Sequence, residues 1–526
     1  VASTDTAEPS LHAPVAAPQR LHRLDRLIAL GLILVTFAVH CPYVLRDTFG
    51  EHDAARLAND AIRWRLTGQL AGSSWADYRV RSSPLYVLWL KTLMSSGAVQ
   101  PQDVPAWMSW LSAVAGAAIA GGLYVLARRV LPWEGAGAAV GLTLLAPAVW
   151  QGSIYGMPHM PAYAFLVWGL VLFDAALASK RPVMLLFAAW LLFVLAGLTK
   201  ADVLVCSGAT LGLVLLDGRR VGRGLAWAIG LVITAGLVCA FLPQAFLSRG
   251  EASATGFVSN WSSHFFIGLD GGAWLYNLRA LLIGGGVAAV PAAVVGLVVL
   301  LARRRGRLVA FALLWALPLI LLWLVIRANS ARHNMAAYFG LFLLVAGAIW
   351  QLRLPRARTV ARVALVGIVA AVSFFAFPFH PNTRFPSGRL HAGSILLKRQ
   401  WARLHRIADS INAHDADKKA YIGKAEGELV LFQVLARAAE LETLEPPPEL
   451  MIANPEDEPV FMYTVTEEDG ASYTMFFRHR PDITHLAEVV RRLADHGFTI
   501  FTIWVEFPAE AGVVWFCLKE YGQAAP

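Results

Sequence analysis

Up to about residue 379 the chain is a succession of apolar runs separated by short polar connections. The runs fall near 26–45, 106–128, 134–150, 158–177, 183–199, 201–216, 224–247, 279–302, 308–326, 335–351 and 358–378. An α-helix of about 20 apolar residues crosses a hydrocarbon core of about 30 Å, so the pattern predicts about eleven spans. After the turn-rich "FPFHPNTRFPSG" (377–388) the pattern changes. Helical periodicity over 392–413, 425–441 and 482–496 alternates with the strand-like runs "AYIG", "ELMIA", "VFMYTV", "SYTMFF", "FTIFTIWVEF" and "VVWFCLK". That mixture predicts a small α/β domain over 380–526. Residues 1–23, rich in Ala, Pro, Ser and Thr, carry no such pattern and are read as a disordered tail.

Composition agrees with this division. Hydrophobic residues make up 57% of the chain and charged residues 15%, which excludes an ordinary soluble globular protein. The fold class is therefore an α-helical polytopic membrane protein with a C-terminal α/β domain. Basic clusters at Arg20–Arg26, Arg128–Arg129, Lys180–Arg181, Arg219–Arg223, Arg303–Arg307 and Arg353–Arg362 fall on alternate connections. The positive-inside rule assigns those connections to the cytoplasm. The stretches 46–105, 151–157, 248–278 and 327–334, with everything after 379, then face the other side, a periplasm-like compartment. The net charge of +9 is spread over short loops, so topology accounts for it and nucleic acid is not an expected partner. The first run lacks a small-residue cleavage site and reads as a signal anchor. Cys41, Cys206, Cys239 and Cys517 form neither a disulfide framework nor a zinc spacing.

Charge is concentrated in the first outer loop, "TFGEHDAARLANDAIRWRLTGQL" (48–70). On a helix over 53–66, Ala54, Leu57, Ala58, Ala61 and Trp64 share one side, and Asp53, Arg56, Asp60 and Arg63 the other. This predicts an amphipathic helix on the membrane surface, its polar face towards water or a cavity. Solvation accounts for Arg63 and Arg65. It accounts less well for Glu51-His52-Asp53, because two neighbouring carboxylates repel unless a cation is close. Further on, "WADYRVRSSPLYVLWLK" (75–91) is a basic, aromatic loop turning through Pro84 into an interfacial helix.

An outer acidic motif, an amphipathic helix and a basic loop ending in Ser83-Pro84-Leu85 together resemble the first outer loop of the GT-C integral-membrane glycosyltransferases. The likeness is nearest to the branch of protein O-mannosyltransferases and lipid A aminoarabinose transferases. There an Asp-Glu pair follows the first span and a Pro-Pro-Leu helix comes later. Here His52-Asp53 stands for the pair and Ser-Pro-Leu for Pro-Pro-Leu, departures that fit the superfamily better than either named family. "GLTKADVLV" (197–205) is similar to a Lys- or Arg-bearing turn of the superfamily, and "IRANSARHNMAAYFGLFLL" (326–344) to its late Arg-Tyr helix start. The resemblance implies a single inverting displacement, a cavity open laterally to lipid, and a tail domain that caps it or recruits the acceptor.

The chemistry expected of these residues follows from their position. Outside the cytoplasm nucleotide sugars are absent, so the donor is expected to be a polyprenyl-phosphate-linked sugar. Transfer needs a base for the acceptor hydroxyl and cations for the departing phosphate. Asp53 is the candidate base, with Glu51 as the alternative; the competing role for Asp53 is a helix-start carboxylate. His52 either orients that carboxylate or is a solvated interfacial histidine. Lys200 and Asp202 either contact donor phosphate or form an ion pair in a tight turn. Arg332 and His333, with Arg56 and Arg81, are candidate phosphate or acceptor contacts, or interface anchors. Tyr338 is either a site residue or packing. His264 and Asp270 lie among aromatics that fit an acceptor site or an interfacial belt. Glu51 and Asp53 offer a divalent metal two carboxylates and no third ligand, so no cofactor is expected and a metal-free site is preferred. Expected partners are the donor lipid, a glycolipid, glycan or protein acceptor, and membrane lipids, in a bacterial inner membrane. Two rival classes stand beside the transferase. A transporter or flippase of lipid-linked sugar would place charges mid-span and carry a repeat. A non-catalytic assembly or sensor protein would leave the outer carboxylates without a role.

Overall fold

The computed structural model describes residues 23–44, 52–67, 83–218, 221–246, 271–324, 331–352 and 358–375, and strand segments between 461 and 519. In chain order the helices are α1 (Arg23–His40), α2 (His52–Thr67), α3 (Pro84–Ser95), α4 (Val104–Ala127), α5 (Trp133–Leu145), α6 (Pro147–Gly152), α7 (His159–Ala178) and α8 (Pro182–Thr199). A 3-10 turn (Ala201–Gly208) leads into α9 (Ala209–Asp217), followed by α10 (Val221–Phe246), α11 (Gly271–Gly285), α12 (Ala289–Ala302) and α13 (Gly306–Leu324). A second 3-10 turn (Ala331–Ala337) opens α14 (Tyr338–Gln351), and α15 covers Arg358–Phe375.

Among the described residues seven helices are long and apolar enough to cross a membrane, or eight if α11 and α12 form one span. The sequence pattern suggests about eleven, and local chemistry explains much of the difference. Pro147 divides the run 134–150 into α5 and α6, because proline cannot donate to a helix interior. The run 201–216 begins as a 3-10 turn and so is not one α-helix. The run 279–302 bends by 85° between α11 and α12. Gly286, at φ +86°, makes that bend, and a Cβ there would strike the Ser373 backbone, so only glycine fits. The run 358–378 yields α15, an apolar helix shorter than a standard span.

Polar interactions sort the bundle into two ends. At one, called here the basic end, Arg128 Nε donates to Asp25 Oδ1 at 2.6 Å and Arg129 pairs with Asp174 at 3.0 Å. Arg305 Nε donates to Gln351 and Arg362 Nη2 to the Trp350 carbonyl at the same end. At the other, the histidine end, His40 and Tyr43 pack edge-on against Trp150 and a cluster of His159, Asp202 and His333 forms. The tail contributes two antiparallel hairpins: β1 (Phe461–Thr466) with β2 (Ser472–Phe477), and β3 (Phe498–Glu506) with β4 (Ala511–Lys519). These coincide with four of the strand-like runs; the expected helices of the tail lie outside the described residues.

Candidate functional site at the histidine end

α2 forms over His52–Thr67, close to the 53–66 read from periodicity, but its setting differs from expectation. Every residue from Ala54 to Ile62 is buried, Arg56, Asn59 and Asp60 included. At Arg56 and Asp60 the polar side too is enclosed by protein, where an interfacial helix would leave it in water. Burial is tolerated because Arg56, Asn59 and Asp60 each make an interaction there, which a buried charge requires. His52 and Asp53 are the first two residues of the helix. Glu51, Arg81, His264 and Asp270 lie outside the described residues. α2 packs on α3, and Tyr86 of α3 donates from its hydroxyl to the Gly156 carbonyl at 2.9 Å. That bond ties α3, and through it α2, to the turn preceding His159.

Three elements then converge. His159 opens α7, with Pro158 as its N-cap; Asp202 lies in the 3-10 turn before α9; His333 lies in the one that opens α14. His333 Nδ1 is 3.5 Å from Asp202 Oδ2 and 3.4 Å from His159 Nε2. Trp323, at the end of α13, stacks on the His333 ring at 3.9 Å and 17°, which holds the imidazole plane. The 3-10 turn carrying His333 is pinned from two sides. Trp315 Nε1 donates to the Ala336 carbonyl at 2.7 Å and Tyr163 donates its hydroxyl to the same oxygen at 3.3 Å. A 3-10 turn makes poorer internal hydrogen bonds than an α-helix, so its carbonyls readily take such side-chain donors. Gly152 lets α6 close on the same turn, since a Cβ there would overlap the Met335 sulfur.

The side chains of Asp202 and His333 are 6% and 10% exposed, so their charge states depend on neighbours rather than water. Burial by itself pushes the Asp202 carboxyl up. The positive charge of Lys200, the hydrogen bond with His333 and the nearby His159 outweigh burial and hold it below the usual carboxylate range. Asp202 is therefore a holder of negative charge within the cluster. Among the described residues the ion pair of Asp202 within 4 Å is with His333, and Lys200 acts on it as a nearby charge.

Of the residues singled out by sequence, Lys200, Asp202, Arg332 and His333 gather at this end, with Arg332 and Lys200 half-buried. Tyr338 does not join the cluster. It is fully buried, its hydroxyl donates to the Leu281 carbonyl at 3.0 Å, and its ring rests on Gly285, so it serves the packing of α14 on α11. Sequence reasoning missed His159 and Trp323. The signal for His159 was there in "GMPHMPA" (156–162), an ionisable residue between two prolines at the start of a span. No local pattern marks Trp323, because many tryptophans sit at helix ends. His159, Asp202 and His333 also form a donor set suited to a metal ion, the third-ligand arrangement that Glu51 and Asp53 lacked in sequence.

No protein-family model and no curated protein matches the chain. Among solved structures it is similar to ArnT from Cupriavidus metallidurans bound to undecaprenyl phosphate, at 18% identity and TM-score 0.49 over 79% of this chain and 75% of that one. It is also similar to the archaeal oligosaccharyltransferase AglB from Archaeoglobus fulgidus in complex with an inhibitory peptide and a dolichol-phosphate. There the identity is 11% and the TM-score 0.43 over 74% of this chain and 58% of that one, so the match spans little more than half of the archaeal chain.

Proposed function

We propose that the chain is a membrane glycosyltransferase that moves a sugar from a polyprenyl-phosphate-linked donor to an acceptor hydroxyl. The observation that carries this reading is the gathering of Lys200 and Arg332 around the buried His159–Asp202–His333 cluster at one end of the helical bundle. Cationic side chains in a water-poor setting suit a phosphate leaving group, because they are already in place when negative charge develops on it. Lys200 and Arg332 take the phosphate, Asp53 or Glu51 accepts the acceptor proton, and displacement inverts the anomeric carbon, as the sequence resemblance implies. Arg56, enclosed within the α2 packing, supports that helix, while His52 and Arg81 belong to the acceptor side.

In this reading the histidine end and the 380–526 domain face the periplasm of a bacterial inner membrane, and the basic end faces the cytoplasm. The acceptor is lipid A or another core saccharide, a cell-wall glycan or a protein hydroxyl. The flippase alternative draws on the 85° break between α11 and α12. Against it, Asp174, the ionisable group nearest mid-span in the sequence, is engaged by Arg129 at the basic end.

The test is transfer of labelled sugar from a polyprenyl-phosphate lipid extract in native-like membranes, with wild type beside Lys200→Met. Label moving into a second product in wild type, with a loss of about 10²-fold in the variant, supports the transferase and its phosphate contact. Label crossing the bilayer while still on its lipid supports the flippase.

A further inference from the structure

We propose that His159, Asp202 and His333 form a binding site for a zinc-class divalent cation. The transferase reading enters only in the identity of the fourth ligand.

The three donors come from separate elements, and their ligand atoms all lie within 4.8 Å of one another. The two sides of that triangle at His333 Nδ1 measure 3.4 and 3.5 Å. Ligands bound tetrahedrally at about 2.0–2.1 Å stand about 3.3–3.4 Å apart. As hydrogen bonds the same contacts are poor. A charge-assisted N–H···O bond runs at about 2.7–2.9 Å. Moreover, His333 Nδ1 carries at most one proton and faces two partners, so it cannot donate to both. Asp202 Oδ1 is buried and has no hydrogen-bond partner among the described residues. A buried carboxylate in that condition calls for a cation nearer than Lys200, which lies beyond ion-pair distance.

The geometry is also held before any ligand arrives. Trp323 fixes the His333 ring, while Tyr163 and Trp315 anchor the turn that bears it. Support of that kind is what orients metal ligands. Two imidazoles and one carboxylate match zinc and its neighbours in the first transition row, whereas magnesium and calcium favour oxygen ligands throughout. A divalent ion here, with Lys200 and Arg332 beside it, leaves a formal positive excess over the single charge of Asp202. The open fourth position therefore suits an anionic oxygen, and in a transferase that oxygen belongs to the donor phosphate.

The experiment uses the full chain in lipid nanodiscs, stripped with chelator and titrated with Co2+ alone, then with Zn2+ as competitor. Expected is one equivalent of cobalt showing the visible d–d absorption of a four-coordinate site and displaced by zinc. His159→Ala, Asp202→Asn and His333→Ala should each weaken binding by about 100-fold or more. Where an alanine variant fails to fold, His333→Cys decides: a ligand at this position adds a thiolate-to-cobalt charge-transfer band. Wild type that transfers sugar yet binds no cobalt overturns the site and leaves the transferase standing. Binding unchanged in the folded variants, or a His333→Cys protein without the new band, overturns it too. Cobalt bound as expected in a protein that transfers no sugar upholds the site and removes only the donor phosphate as its fourth ligand.

Discussion

The two ends of the helical bundle handle buried charge in opposite ways. At the basic end two buried carboxylates each face an arginine: Asp25 takes Arg128 at 2.6 Å and a second donor, the Tyr124 hydroxyl, at 3.2 Å, while Asp174 pairs with Arg129 at 3.0 Å. At the histidine end the contacts within the cluster are 3.4 and 3.5 Å, and one oxygen of Asp202 has no hydrogen-bond partner among the described residues. Paired charges with short bonds lock helices together. Groups held rigid but left incompletely satisfied favour a ligand that completes them. The two regions should therefore respond differently to substitution, one in stability and the other in activity.

The largest effect is expected at the start of α2. Asp53→Asn should lower sugar transfer by about 10²–10⁴-fold with an unchanged thermal midpoint, the range for loss of a general base. An equal loss on Glu51→Gln with Asp53→Asn silent would hand the role to Glu51. Next, Arg128→Ala should destabilise the fold by about 3 kcal/mol, because buried Asp25 loses its charged partner and keeps only weaker ones such as the Tyr124 hydroxyl. Thermal unfolding in detergent checks this, and transfer per folded molecule should stay at the wild-type level. Should Arg128→Ala spare stability and abolish transfer, the division between the ends would be wrong. Gly286→Ala combines a positive φ with a clash against the Ser373 backbone, and should cost about 1–3 kcal/mol through strain at the α11–α12 bend. Smallest of all, Tyr338→Phe should cost about 1 kcal/mol for its hydrogen bond to Leu281 and leave transfer intact. A large loss of transfer in that variant would return Tyr338 to the site.

The same contrast between ends tells how much of the molecule could be read before folding. Spans built from one uninterrupted apolar run, such as those of α4, α7, α8 and α10, appear where hydropathy puts them. Their length is set locally, by the thickness of the hydrocarbon they cross. The α2 helix was legible too, but its environment was not. Periodicity shows that Arg56 and Asp60 share a face, and says nothing about whether that face meets water or another helix. Lys200, Asp202, Arg332 and His333 were legible as costly charges at span ends. That His333 rather than Lys200 lies against Asp202 depends on how two 3-10 turns, more than 120 residues apart, are brought together.

From sequence alone came the membrane class, the alternation of basic connections, the α2 helix and the pool of ionisable residues from which a site could be drawn. These are properties of composition and short-range period, which any window of the chain displays. Tertiary structure decided which residues lie together in the candidate site. It brought in His159 and Trp323, assigned Tyr338 to packing, enclosed α2 and bent the run 279–302 at Gly286. The reason is that a donor set is defined by distances of a few ångströms between residues far apart in the chain. Only the packing of the helices that carry them determines those distances.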